Sequence, residues 1–337
     1  MATYVQSVDL EHLAASDGYD AMAREVQLGL TARPRSLSPW MFYDSEGSRL
    51  FERITTLPEY YPTRTERAIL AAHADAIVAE AHGAGVRNDR SMPLRLVELG
   101  AGTASKTCIL LKAALRLSDN VSYVPVDVCP DALELACQNI GRALPEVRIE
   151  PIVRNYVTHP LQLEPFDGIT LALYIGTSIG NFSGEEAGLI LRNLGSQLRT
   201  GDALLLGTDM VKDEPTLLAA YDDGAGVTAK FNLNILRRLN RELGADFDVA
   251  RFRHRVHWNS IESRIEMHLE STREQIVRIE DADLDLHFTP GETIHTENSY
   301  KFTDHGIQRL LGEVDFHIRG VWKDSRSWYA LTLACLP

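Results

Sequence analysis

The sequence predicts an α/β protein: a doubly wound, mostly parallel sheet in its middle third, with a second, smaller α+β unit beside it in the chain. Three observations predict this. Short apolar runs alternate with helical patterns between residues 94 and 210. Those runs carry no polar alternation, as strands covered on both faces require. After residue 252 the pattern switches to a period of two, the mark of half-solvated antiparallel strands.

LRLVELGAG (94–102) reads as a strand ending in glycines, and SKTCILLKAALRL (105–117) as a helix. VSYVPVDV (121–128) is the next strand. PDALELACQNIGRAL (130–144) is a helix with Pro130 at its start, where a missing N–H costs nothing. VRIEPIV (147–153) and DGITLALYIG (167–176) are strands. GEEAGLILRNLGSQL (184–198) is a helix with acids at its positive end, and GDALLLGTDM (201–210) is a further strand. Strand–helix alternation implies right-handed crossovers and parallel pairing.

The flanks read differently. Residues 1–64 are helical and then loop-rich, with Pro34, Pro39, Pro58 and Pro62; residues 214–250 are helical. In RIEMHLE (264–270), Ile265, Met267 and Leu269 share one face and Arg264, Glu266, His268 and Glu270 the other. REQIVRI, DLDLHF and IHTENSYKF continue the strand pattern. The tail has a helix (HGIQRLLGEV) and two strands (FHIRGVW, SWYALTLACL), which suit an antiparallel pair closing the first sheet. The expected division is 65–210 plus 302–337 for the sheet domain, and 1–64 plus 211–301 for the second.

Composition narrows the function classes. A chain of 337 residues with 45% hydrophobic and 24% charged residues packs an ordinary core. A net charge of −13 repels phosphate backbones and anionic lipid, so neither nucleic acid nor membrane is an expected partner. The four cysteines, Cys108, Cys129, Cys137 and Cys335, form no C-x-x-C pair and read as reduced thiols. The opening twenty residues lack the basic start and apolar core of a signal peptide. Eleven histidines, His254, His257, His287 and His295 among them, recur at no fixed ligand spacing, so no metal is expected.

The first strand–helix turn is Glu98-Leu99-Gly100-Ala101-Gly102-Thr103. Glycines there let the backbone turn sharply and approach a ligand across the carboxyl edge of the sheet. Ser105 stands where a dinucleotide fingerprint has its third glycine, which disfavours a pyrophosphate and an NAD-dependent oxidoreductase. Asp127 ends the next strand, 27 residues after Gly100, where a carboxylate accepts from both ribose hydroxyls. An acid two residues before the first glycine, a two-glycine turn and an acid ending strand two resemble class I methyltransferases. Lys106 is then placed to meet the carboxylate of S-adenosylmethionine (SAM). The bland alternatives are a plain turn at Gly100 and Gly102, a helix cap at Asp127 and a solvated lysine.

Longer strings are more specific: WMFYDSEGSRLFERIT (40–55), LPEYYPTRTE (57–66), YIGTSIGNF (174–182), LLLGTDMVKD (204–213), AYDDGAGVTAKFN (220–232) and RIEMHL (264–269). Together, from about Leu28 to the C-terminus, they resemble the histidine-specific Nα-methyltransferases of ergothioneine biosynthesis. That resemblance implies a Rossmann-like class I methyltransferase domain with an α+β substrate domain, the amino acid lying between them. It implies SAM as methyl donor, L-histidine as small-molecule substrate and hercynine as product, in a cytoplasmic monomer. SAM contacts fall on Gly100, Gly102, Lys106, Asp127, Asn155 and Tyr156. Some members carry Asp-Phe in place of Asn155-Tyr156, and an amide oxygen still accepts from an adenine amino group, without charge assistance. Substrate contacts fall on Tyr60, Gly176, Asn181, Tyr221, Met267, Glu297 and Ser299, with Phe51 and Tyr43 lining the same pocket.

Several of these residues make chemical sense unaided. Glu297 and Ser299 stand two apart on a predicted strand and share a face, where a carboxylate and a hydroxyl read the two imidazole nitrogens. Met267 packs against the ring, or is plain core. Asn181 both donates to a carboxylate and accepts from an amine, and Tyr60 and Tyr221 offer hydroxyls to the carboxylate. No strong general base stands out, so Tyr43 is expected to order the water that removes protons from the amine. Tyr43, Phe51 and Tyr60 also suit a quaternary cation. The rival readings are an Nα-methyltransferase for another amino acid, such as tryptophan, and a non-catalytic regulator that binds SAM or an amino acid.

Overall fold

The computed structural model describes residues 10–83, 90–157 and 159–337; residues 1–9, where the reading for a leader peptide begins, lie outside them. The described chain divides into two units, one of residues 62–211 and 300–337 and one of the residues up to Tyr61 together with 212–299.

In the first unit the apolar runs assemble into an eight-stranded sheet. Its order is His317–Lys323, Tyr329–Cys335, Ala203–Asp209, Ile169–Tyr174, Leu94–Leu99, Val121–Asp127 and Arg148–Ile149, with Ile152–Val153 also paired to Val121–Asp127. Pairing is parallel from Ala203–Asp209 outward through Val121–Asp127. Tyr329–Cys335 runs antiparallel to both its neighbours, as the tail pattern predicts. This is a Rossmann-like, doubly wound sheet with one antiparallel strand set into it. Strand order reverses at Leu94–Leu99: the chain first adds Val121–Asp127 on one side, then Ile169–Tyr174 on the other. The run expected as one strand at 147–153 splits into two short strands, because Pro151 has no N–H for the ladder.

Helices cover both faces. Leu94, Leu96, Tyr123, Leu171 and Leu205 point to one core, shared with the helices Tyr61–His82, Thr107–Leu117 and Pro130–Ala143. Val97, Leu99, Val124 and Leu204 point to the other, shared with Gly184–Gly195 and Asp304–Gly312. The helix at Gly184 starts as its acids predict: Ser183 and Glu186 form a reciprocal capping box. The helix Tyr61–His82 begins inside a segment read as loop-rich. Pro62 stands in its first turn, where no intrahelical N–H is needed, so the proline starts the helix rather than breaking it.

In the second unit a four-stranded sheet has the order Arg35–Ser36, Thr293–Tyr300, Arg264–Ser271 and Phe252–Asn259. Arg264–Ser271 pairs antiparallel with Phe252–Asn259, Met267 opposite Val256. Its burial alternates residue by residue, Ile265, Met267 and Leu269 inside. Gln275–Ile279 and Leu284–Phe288 form a separate hairpin. The helical stretch after 212 is two helices, Glu214–Tyr221 and Val227–Glu242, separated at Gly224-Ala225-Gly226, where Gly226 takes a left-handed φ of 66°.

One charged pair sits wholly inside the first unit. Lys301 Nζ lies 2.9 Å from Asp209 Oδ2, and neither side chain is exposed. Removing one partner strands the other charge in the core, which costs about 3–5 kcal/mol. Lys301→Met is therefore expected to lower the unfolding free energy by that order, and Lys301→Met with Asp209→Asn to recover much of it. Urea unfolding checks this; an unchanged midpoint for Lys301→Met would mean the pair is solvated.

Candidate active site

The residues singled out in the first unit gather at the carboxyl ends of neighbouring strands. Gly100, Gly102 and Lys106 follow Leu94–Leu99; Asp127 ends Val121–Asp127; Asn155 and Tyr156 follow Ile152–Val153; Gly176 and Asn181 follow Ile169–Tyr174. That is the edge flanking the strand-order reversal, where open α/β sheets bind ligands.

The glycine turn is held from beneath. The amides of Gly100 and Ala101 both donate to the Val126 carbonyl, at 2.8 and 3.1 Å. Gly100 and Gly102 have φ of 68° and 50°, which glycine adopts without strain. A Cβ at Gly100 would lie 3.3 Å from the Tyr156 hydroxyl, whereas one at Gly102 would meet nothing within 4 Å. The turn thus leaves an open cradle on one side and a phenol against the other, which fits a nucleoside laid over it. The Asp127 carboxylate accepts from the Gly102 amide through Oδ2 at 2.9 Å, from the Cys129 amide through Oδ1 at 3.0 Å, and from the Val128 amide. The carboxylate therefore steadies the turn and the approach to the following helix. Burial pushes its pKa up despite those N–H groups. The Asn155 side-chain oxygen accepts from the Val157 amide at 3.1 Å, so this residue shapes its own loop.

Below the turn, Glu98 is buried. Its Oε2 accepts from the Thr107 hydroxyl at 2.6 Å and from the Tyr123 hydroxyl. One carboxylate thus ties the first strand to the second and to the first residue of the next helix. Burial raises its pKa to about 7.

Lys106 is not a solvated helix residue. Its ammonium pairs with Glu66, whose side chain is 1% exposed. Glu66 Oε1 also accepts from the Gly176 amide at 2.9 Å and the Tyr329 hydroxyl at 2.7 Å. Glu66 and Tyr329 escape sequence reasoning as individual residues, because these partners lie 110 and 263 positions away. Gly176 has φ 84°, and a Cβ there would come within 3.1 Å of Lys106 Nζ.

In the second unit the aromatic candidates form a chain of edge-to-face contacts. Ring centroids are 5.8 Å apart for Tyr43–Phe51, 6.2 Å for Phe51–Tyr60 and 6.2 Å for Tyr60–Tyr221. Phe231, not singled out from sequence, packs against both Tyr43 and Phe51. The Tyr221 and Ser299 hydroxyls, both buried, lie 2.6 Å apart. Asp44 sets the position of Tyr43: it caps the helix Ser45–Thr55 through the Gly47 amide and accepts from Asn234 at 2.8 Å. Gly47 has no substitute, since a Cβ there would fall 1.7 Å from the Phe42 carbonyl oxygen.

Strand Thr293–Tyr300 departs from simple alternation. Ile294, Thr296 and Ser299 are its buried residues, so the inward series slips by one after Thr296. His295 stacks on His268, which belongs to the half-exposed face of its strand, and His295 also bonds the side chain of Asn298. Three residues apart, His295 and Asn298 would lie on opposite faces of a regular strand. The slip puts both on the outer face and leaves Ser299 buried, with Glu297 half-buried two residues before it. Met267 is buried on the inward face of the neighbouring strand. Beneath them Asn232, also missed, bonds Thr296, the His268 carbonyl and His254 Nδ1 at 2.8, 3.1 and 2.8 Å. His254 Nε2 donates to the Tyr221 carbonyl at 2.9 Å, so both its ring nitrogens are engaged. Burial lowers its pKa.

The chain matches the family described as histidine-specific, SAM-dependent methyltransferase over residues 22–336. It is 42% identical over 323 residues to the histidine N-alpha-methyltransferase of Mycolicibacterium smegmatis, covering 96% of this chain and 97% of the relative. The figures are the same for the enzyme of that name from Mycobacterium tuberculosis. The N-methyltransferase fsqC of Aspergillus fumigatus is 29% identical, over 96% of this chain and 86% of its own.

Glu98 gives a pH test. Its folded pKa is raised to about 7 from the ordinary 4.5, so the folded state keeps this proton longer than the unfolded chain. Its contribution to stability is complete below about pH 4.5 and declines as pH rises to about 7. Glu98→Gln keeps an acceptor for the Thr107 and Tyr123 hydroxyls but cannot ionise. Between pH 4.5 and 8, urea unfolding should show the variant gaining on the parent by on the order of 3 kcal/mol. Parallel stability curves would mean that Glu98 ionises alike in both states.

Proposed function

The chain belongs to the family of histidine-specific, SAM-dependent methyltransferases, and from that premise we propose that it trimethylates the α-amino group of L-histidine to hercynine. When bound, SAM supplies a methyl group on a sulfonium, a good leaving centre. In each transfer the amine lone pair forms an N–C bond, the C–S bond breaks, and its electrons stay on sulfur as S-adenosylhomocysteine. Starting from the ammonium form, three methyls are gained and three protons leave to solvent.

Gly100, Gly102, Asp127, Asn155 and Tyr156 take the adenosine, with the Asp127 carboxylate facing the ribose hydroxyls. Lys106 takes the methionyl carboxylate. Glu297 and Ser299 read the imidazole nitrogens, and Met267 packs beside the ring. Tyr60, Tyr221, Gly176 and Asn181 hold the amino acid's carboxylate and amine, Asn181 orienting the nitrogen. Tyr43 orders the water that carries protons away. The rings of Tyr43, Phe51 and Tyr60 attract the growing alkylammonium charge. Orientation of nitrogen, methyl and sulfur supplies much of the rate. We place this enzyme in the cytoplasm as a monomer acting on a free amino acid, a reading supported by its four free cysteines and net charge of −13.

The choice of substrate is supported by the half-buried Glu297 standing two residues before the buried Ser299, whose hydroxyl bonds that of Tyr221. A half-buried carboxylate beside a buried hydroxyl disfavours side chains that leave them unpaired. Incubation with SAM and each of the twenty amino acids, followed by mass spectrometry, is expected to show gains of one, two and three methyls on histidine alone. Gains on another amino acid, or none, would overturn the assignment. Met267→Ala with Glu297→Ala is expected to raise KM for histidine at least about tenfold and to admit tryptophan. Unchanged histidine kinetics would remove Glu297 and Met267 as selectors.

A further inference from the structure

Glu66 is a carboxylate placed where the core should exclude it. It lies in the helix Tyr61–His82, fully buried, and three groups from three distant segments converge on it. Oε2 faces the Lys106 ammonium. Oε1 accepts from the Gly176 amide and the Tyr329 hydroxyl, at 2.9 and 2.7 Å. The sheet makes room for it. A Cβ at Gly207 would fall 2.5 Å from Glu66 Oε1 and 2.7 Å from the Tyr329 hydroxyl, so strand Ala203–Asp209 carries no side chain there. Burying a charge is costly unless it is paired and hydrogen-bonded, and here both oxygens are engaged. For stability alone, an apolar side chain of the same volume would serve as well.

The division of labour between the two oxygens points to a use. One holds the lysine next to the glycine turn; the other holds the first residue of the loop after Ile169–Tyr174. We infer that Glu66 is a positioning residue that fixes the Lys106 ammonium for the carboxylate of the methyl donor and locks the Gly176 loop to it. This rests on the reading of Lys106 as the carboxylate anchor. Lys106 keeps 18% of its side chain exposed, so its ammonium is held on one side and reachable on another. A lysine is a flexible point charge that gives little orientation by itself, and a buried anion supplies it. Glu66 touches neither ligand in this role; it acts through Lys106 and the Gly176 amide.

Glu66→Gln separates the two oxygens. The amide oxygen keeps the bonds from Gly176 and Tyr329, while the amide NH2 presents hydrogens to the Lys106 ammonium and displaces it. Two ligands then report on Lys106. S-adenosylhomocysteine carries the methionyl carboxylate; 5′-methylthioadenosine has the same nucleoside and thioether without it. Titration calorimetry should show S-adenosylhomocysteine bound at least about tenfold more weakly by Glu66→Gln, the scale of one hydrogen bond to a charged group. Binding of 5′-methylthioadenosine should stay within about twofold. Lys106→Met should show the same selective loss, and the double variant should be no weaker than Lys106→Met alone. If Glu66→Gln does not fold, Glu66→Asp keeps the charge but is one methylene short of its partners, and the same selective loss is expected. Equal loss for both ligands, or no loss in a folded variant, overturns the role of Glu66 while leaving the SAM site standing. A parent protein that binds neither ligand overturns both readings.

Discussion

A parallel sheet covered by helices on both faces has one edge free for chemistry, the line of its carboxyl ends. Everything distinctive about the first unit follows from that constraint. Leu94, Leu96, Val97 and Leu99 are spent on two cores, so polar work begins where the strand stops, at Gly100. Because strand order reverses at Leu94–Leu99, the loops after Leu99 and Tyr174 part there. Asp127, Lys106, Gly176 and Asn181 stand along that opening, each from a different loop.

The edge is steadied by charges buried just behind it. Glu98 joins two strands and a helix through the Thr107 and Tyr123 hydroxyls, and Glu66 joins a helix, a lysine, a loop and the last strand. Asp209 and Lys301 do the same at the next strand end, where the Asp209 amide also reaches the Thr177 hydroxyl at 3.3 Å. Thr177 takes a left-handed φ of 62°, so that loop needs such support. Hydrophobic packing is tolerant of sliding; directed bonds to a buried anion are not. Each of these buried carboxyl groups therefore fixes the geometry of a strand's carboxyl end.

The second unit reaches the same end with different means. Its candidates are aromatic rings in edge-to-face contact, which hold angles as well as distances. A one-residue slip in Thr293–Tyr300 falls between Thr296 and Ser299, around Glu297, and such strand irregularities are common beside functional sites. His254, which the histidine count made a possible ligand, has a supporting role: it carries the Asn232 network to the Tyr221 carbonyl.

The sequence by itself determined the elements and the edge. Unbroken apolar runs announced buried parallel strands, the period-two pattern announced the second sheet, and Gly100, Gly102 and Asp127 marked a corner at the sheet's carboxyl edge. Those signals are local, carried by spacing within a dozen residues, and they are readable for that reason. The strings around Tyr43, Tyr60 and Tyr221 carried the family likeness because whole segments, not single residues, match. Only the tertiary structure decided what Lys106 and Asp127 bond, that Pro62 opens a helix, and that the strand at Glu297 slips. Nor does any local pattern reveal Glu66, Tyr329, Phe231 or Asn232: the partners of Glu66 lie 40, 110 and 263 positions away along the chain. A buried anion is identified by what converges on it, and convergence of that kind exists only once the chain has folded.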